Sequence, residues 1–98
     1  MSCEFSDTQK EQLIDILTNE LTMLRAKVGL SQQELSNKMG VSRQTYGSIE
    51  KKIQKMTWSN FLVLLFLFKN NQETAKIIEW IGAYPLELEN YLKLSTNE

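Results

Sequence analysis

The stretch from Ser31 to Glu50, SQQELSNKMGVSRQTYGSIE, restricts the fold more than any other part of the chain. Ser31 stands three residues before Glu34, the spacing of a capping box in which hydroxyl and carboxylate each satisfy an orphan backbone donor at a helix start. Leu35 and Met39 then share a face four residues apart, and Gly40 follows as the residue suited to the left-handed conformation at a helix end. A first short helix therefore closes at Met39. Val41 can turn its side chain into the core, while Ser42 caps a second helix running to about Glu50. With only three or four residues between them, the two helices must cross steeply.

On a helical wheel, Tyr46, Ile49 and the edge of Thr45 fall on one side of the second helix and form its core face. Arg43, Gln44, Gly47 and Ser48 occupy the opposite arc. Arginine and glutamine carry the paired donors and acceptors that match guanine and adenine edges in the major groove, so this arc suits the reading of bases. Gly47 inside a helix costs up to about 1 kcal/mol relative to alanine. Its place on the outward arc reflects either close approach of a partner or simple tolerance.

The remaining composition narrows the class. The 98 residues, 42% of them hydrophobic, suffice for one domain with a modest core. The densest apolar run, Phe61 to Phe68, is too short to span a bilayer and reads as a buried helix, so no membrane partner is expected. No basic, apolar signal sequence precedes the domain, which points to the cytoplasm. The chain has no histidine and one cysteine, Cys3, near a terminus that is expected to fray. Zinc sites of the usual ligand types, a Ser-His-acid triad and a Cys-His pair are therefore excluded, and the scattered glycines make no phosphate loop. The expectation is a protein that is not an enzyme and has no cofactor.

The net charge of −1 seems to oppose a nucleic-acid partner, yet the charges are segregated. Residues 25 to 69 hold eight basic side chains against two acidic ones, a balance of +6, and the rest of the chain carries −7. Phosphate responds to the local field within a Debye length of roughly 8 to 10 Å, so a basic centre can work on an acidic molecule. Lys51, Lys52 and Lys55 follow the end of the second helix, where they either hold phosphates or stay solvated.

The run LRAKVGLSQQELSNKMGVSRQTYGSIE, Leu24 to Glu50, resembles the Cro/repressor-type helix-turn-helix of the Xre family of phage repressors and bacterial regulators. The resemblance rests on Leu24-Arg25, Gly29-Leu30-Ser31-Gln32, Glu34-Leu35, Gly40-Val41-Ser42 and Ile49-Glu50, and extends over residues 23–68 once the following helix is included. It implies a lambda-repressor-like all-α bundle of about five helices with a short extra C-terminal helix. It further implies base contacts from Arg43, Gln44 and Ser48, with Thr45 as a fourth, and a phosphate contact from Gln32 that also braces the reading helix. Ser42, Lys51, Lys52, Lys55 and Thr57 join Gln32 as expected phosphate holders. Arg25 and Glu50 match a structural salt bridge between the first helix and the end of the reading helix; for Arg25 alone, a phosphate contact or a solvated side chain is the alternative. The sequence departs from the family after Glu50, where Lys51, Lys52 and Ile53 replace the frequent basic residue and glycine. Ser36 stands where alanine is frequent.

The flanks complete a single domain spanning residues 1–98. Ser6 and Gln9 form another capping-box pattern, and Leu13, Leu17, Leu21, Leu24 and Val28 predict one long helix from about Asp7 to Lys27, of which 7–22 is an N-terminal extension. Ile14 is available for the C-terminal segment or for a second subunit. Thr57 caps a helix from Trp58 to Phe68 that is apolar all round and so expected to be buried. C-terminal helices fill residues 71–94, one over about Gln72 to Ile81 and one carrying Leu86, Leu88, Tyr91, Leu92 and Leu94. Trp80, Tyr84 and Tyr91 either close the core or form a dimer interface. No strand pattern appears. The expected partner is double-stranded DNA, bound by a homodimer that regulates transcription. The alternatives are an antitoxin that binds a toxin protein through its C-terminal helices, and a protein-interaction module on the same scaffold.

Overall fold

The computed structural model describes residues 5–93, so Cys3 and Leu94 lie outside the described residues. Within them the chain forms seven helices and no strand: α1 (Asp7–Asn19), α2 (Leu21–Val28), α3 (Gln32–Met39), α4 (Arg43–Glu50), α5 (Trp58–Lys69), α6 (Ala75–Trp80) and α7 (Leu86–Leu92). This is the all-helical bundle expected from the sequence, with one helix more because the first is divided.

The division at Glu20 corrects the single helix expected from Asp7 to Lys27. Glu20 leaves helical geometry at φ −108° and ψ 7°. Its N–H donates to Leu17 O at 3.1 Å, and Leu24 N donates to Glu20 O at 2.9 Å to start the next helix. Just before the break, the Thr18 hydroxyl donates to Ile14 O at 2.7 Å, a back-bond that bends helices. The bend serves packing: Leu13, Ile14 and Leu17 from α1 and Leu21 and Leu24 from α2 all reach one core. Ile14 is thus spent inside the chain and is not left for another subunit.

Helix α5 packs against α1, α3 and α6. Phe61, Leu64, Leu65 and Phe68 are buried there, each worth about 1.5 to 3 kcal/mol of transfer free energy. The opposite side of α5 is open, which corrects the expectation of burial all round: Phe66 is 67% exposed and Val63 38%. At the start of α5, Trp58 stacks on Phe61 at 4.9 Å and meets Phe5 edge-on, and Phe5 also meets the Tyr91 ring at 5.3 Å.

The C-terminal part differs in detail from the sequence reading. Helix α6 begins at Ala75 rather than Gln72, because residues 71–74 form a turn in which the buried Thr74 hydroxyl donates to Phe68 O at 2.6 Å. Ile78, Ala83 and Leu88 close the core, while Trp80 is 88% exposed and so does not. Tyr84 and Tyr91 pack partly buried against the core.

Candidate nucleic-acid interface

The interface is built on two capped helices. In α3 the Ser31 hydroxyl accepts from Glu34 N at 3.0 Å, and Ser31 N donates to Glu34 Oε1 at 2.8 Å. That backbone donation, with a smaller contribution from the Ser31 side chain, holds the Glu34 carboxyl below the ordinary glutamate value. Gly40 ends α3 at φ 80°, and Ser42 caps α4 by accepting from Thr45 N at 3.0 Å. The Ser42 hydroxyl also donates to Thr45 Oγ1 at 3.0 Å, so these two side chains are tied to each other at the start of α4. Tyr46 and Ile49 are fully buried and seat α4 on the core, which turns Arg43, Gln44 and Ser48 to the open side.

The last residue of α4 organises the site. Glu50, its side chain 7% exposed, accepts from Arg25 Nε at 2.7 Å, from Arg25 Nη2 at 3.4 Å, from Gln32 Nε2 at 3.0 Å and from the Tyr46 hydroxyl at 2.5 Å. Burial alone would raise the Glu50 pKa. The hydrogen bonds from Arg25, Tyr46 and Gln32, together with the Arg25 charge, outweigh it and hold the carboxyl below its ordinary value. The same bond to Glu50 raises the Arg25 pKa against the opposing effect of its own burial. Burial first, and then the Glu50 contact, push the Tyr46 phenol up.

Gln32 extends this cluster to the open face. Its Nε2 donates to Glu50 while its Oε1 accepts from Arg43 Nη1 at 3.1 Å. Only this orientation of the amide satisfies both a carboxylate and a guanidinium. Arg43 is therefore held by one of its five N–H groups and keeps the others. Between α3 and α4 lies an open concavity of about 430 Å³ lined by Gln32, Arg43, Gln44, Gly47, Ser48, Lys51 and Ile53. Residues 21–57 match the helix-turn-helix family model.

Residues 21–57, 37 of the 98, are thus similar to the Cro/repressor-type helix-turn-helix, a DNA-binding motif. The match runs from the start of α2 to Thr57 and stops before α5, whereas the resemblance in the sequence extended to Phe68. No curated protein and no solved structure gives a significant match to the chain. Among the described residues, no helix is long and apolar enough to cross a membrane.

The helix-turn-helix gathers Gln32, Arg43, Gln44, Ser48 and Lys51 at one concavity and places the other expected contacts apart. Lys52 and Lys55 border a second hollow together with Asp15, and Lys55 Nζ lies 3.4 Å from Asp15 Oδ1 in an exposed pair. The Thr57 hydroxyl caps α5 by accepting from Asn60 N at 3.0 Å. Thr45 is half-buried and engaged with Ser42.

The turn after α4 resolves the departure from the family pattern. Lys52 adopts φ 63°, with Lys52 N donating to Ile49 O at 3.0 Å and Ile53 N to Ser48 O at 2.9 Å. This is a Schellman motif with lysine where glycine is usual. Two participants escaped the sequence reading. The Tyr46 hydroxyl bond to Glu50 was signalled by the four-residue spacing of those two residues along one helix face. Ile53, which lines the concavity and is 75% exposed, carried no local signal.

Proposed function

We propose that the chain is a sequence-specific regulator of transcription that inserts α4 into the major groove of double-stranded DNA as a homodimer. The observation that carries this reading is the concavity on the open side of α4, where Arg43, Gln44 and Ser48 meet Gln32 and Lys51 above the buried Tyr46 and Ile49. Arg43 pairs with guanine through the N–H groups that Gln32 leaves to it, Gln44 pairs with adenine, and Ser48 meets a base or sugar, with Thr45 a fourth contact. Gln32 keeps a second amide hydrogen for a phosphate. Ser42, Lys51, Lys52, Lys55 and Thr57 are the other phosphate holders. Two copies are needed because two-fold dimers place reading helices in successive major grooves about 34 Å apart.

The test is binding to a duplex selected from a random pool, compared with random-sequence DNA across a salt series. Arg43→Ala and Gln44→Ala are expected to lose about 1 to 3 kcal/mol of discrimination each, whereas Lys51→Ala weakens all sequences and lowers the salt slope by about one. Equal loss on selected and random DNA for all three variants overturns the assignment. A second reading retains the DNA face and adds a protein partner, as in an antitoxin, and its support is the exposure of Trp80 and Leu86 on the C-terminal helices. Binding of the product of an adjacent gene, lost in Trp80→Ala, is the result that favours it.

A further inference from the structure

Ile53 is the most exposed large aliphatic side chain among the described residues, at 75%, and it lines a concavity whose other side chains are polar. A single exposed aliphatic residue is common on protein surfaces, but the position of this one removes the usual internal reason for it. In the Schellman turn that ends α4, Ile53 N donates to Ser48 O at 2.9 Å. An apolar residue at that place in the turn commonly packs on the side chain five or six positions earlier in the helix. Those positions are Ser48 and Gly47, a hydroxymethyl group and no side chain at all. The turn keeps the apolar residue and lacks its partner.

The same turn fixes where Ile53 sits. Gln54 N also donates to Ser48 O, at 3.3 Å, so two consecutive backbone donors hold this segment to the end of α4, and Lys52 at φ 63° reverses the chain before it. Ile53 thereby shares one hollow with Arg43, Gln44 and Ser48, the side chains proposed to read bases. Those three address hydrogen-bond donors and acceptors. Among the groups that base pairs present in the major groove, the C5-methyl of thymine is the apolar one, and an aliphatic side chain matches it where a polar one does not. Room for it exists in the same concavity: a Cβ at Gly47 would meet only Gln32 Oε1, at 3.7 Å, so the space over Gly47 is open. Deoxyribose is apolar too, but every nucleotide carries it, so contact with it gives no sequence preference.

We propose that Ile53 is a further specificity-determining residue, forming with Gly47 and Ser48 a subsite for the 5-methyl group of a thymine. The subsite rests on the regulator reading and adds an apolar contact to its polar ones. The test is a fluorescence-anisotropy titration of the full chain on the duplex selected from the random pool, with each thymine in turn replaced by deoxyuridine, which deletes the methyl group and leaves base pairing in place. Wild type, Ile53→Ala and Trp80→Ala are compared, with circular dichroism as the check on folding. Ile53 and Trp80 are both largely exposed, so neither substitution opens the core. At one thymine per half-site, wild type and Trp80→Ala are expected to bind about fourfold more weakly without the methyl (about 0.8 kcal/mol), whereas Ile53→Ala binds the two duplexes within about 1.5-fold of each other. A wild type indifferent to every thymine methyl, or a fourfold loss that persists in Ile53→Ala, overturns the subsite and leaves the DNA reading standing. So does an Ile53→Ala chain weakened equally on selected and random duplexes, the mark of a sugar contact. Failure to select any preferred duplex removes the regulator reading itself, and the subsite with it.

Discussion

Breaking the Arg25–Glu50 pair is the most demanding test of how α4 is held. Arg25→Met keeps the length and apolar stem of the side chain but deletes the Nε bond to Glu50 at 2.7 Å and the Nη1 bond to Leu30 O at 3.1 Å. A hydrogen bond to a charged group is worth about 1.5 to 3 kcal/mol, and a neutral one about 1 kcal/mol. Removing one partner of a buried pair costs about 3 to 5 kcal/mol. Two features place the cost at the lower end of that range: Arg25 remains 19% exposed, and Gln32 and Tyr46 still donate to Glu50. We expect about 3 kcal/mol, a large share of the roughly 5 to 15 kcal/mol typical of a domain. The midpoint of thermal unfolding should fall by roughly 12 to 24 °C. Urea unfolding followed by circular dichroism at neutral pH measures it. A loss below about 1 kcal/mol refutes the reasoning, because it would mean that the carboxylate is adequately solvated without its arginine.

The pH dependence of the same variant supplies an independent check. The Glu50 carboxyl is depressed in the folded chain, so its contribution is fully present above the unfolded-state pKa and is lost as pH falls through the lower folded-state value. Without Arg25, burial gains the upper hand and the depression shrinks or reverses. The stability gap between wild type and Arg25→Met should therefore narrow as pH drops below the ordinary glutamate range. A gap that stays constant down to acid-induced unfolding contradicts the electrostatic origin of the cost.

Three further substitutions probe other parts of the fold. A methyl group added at Gly47 meets only Gln32 Oε1, at 3.7 Å, so Gly47→Ala should stabilise the unbound chain by up to about 1 kcal/mol; weaker DNA binding in this more stable variant would identify close approach as the reason for the glycine. Thr74→Val removes the hydroxyl that Phe68 O accepts from in a fully buried setting and should cost about 1 to 3 kcal/mol in chemical denaturation. Lys52→Gly relieves a left-handed residue and should add about 1 to 2 kcal/mol of stability while weakening binding to selected and random DNA alike, measured by titration at low salt.

What the sequence made legible was set by the range of each signal. The capping boxes at Ser6 and Ser31 and the glycine stop at Gly40 are written within three or four residues, and all three occur in the structure. The break at Glu20 was hidden because leucines spaced by three and four fit a straight helix and a bent one equally well; the local hint was Thr18, whose hydroxyl turns back on Ile14 O. Burial is not a local property. The even apolar content of α5 could not distinguish Phe61, enclosed by neighbouring helices, from Phe66, which nothing covers among the described residues, and the place of Trp80 stayed open between core and interface for the same reason. The contact of Arg25 with Glu50 spans 25 positions and was reachable only through the family resemblance.

Lys52 shows how a departure from a family pattern can be read physically. The turn after α4 retains both hydrogen bonds of the Schellman motif, and the backbone retains its positive φ, so the replacement of glycine leaves the geometry in place and adds strain. Stability alone would favour glycine there. A lysine gives up about 1 to 2 kcal/mol of stability and sets a cation at the C-terminal end of α4, where the carbonyl dipoles also favour positive charge by about 0.3 to 1 kcal/mol. The dipole term does not offset the strain. On the proposed DNA-binding reading a phosphate beside the exit of α4 makes up the balance, met by Lys52 from the hollow it borders with Asp15 and Lys55 and not from the concavity of Gln32 and Lys51.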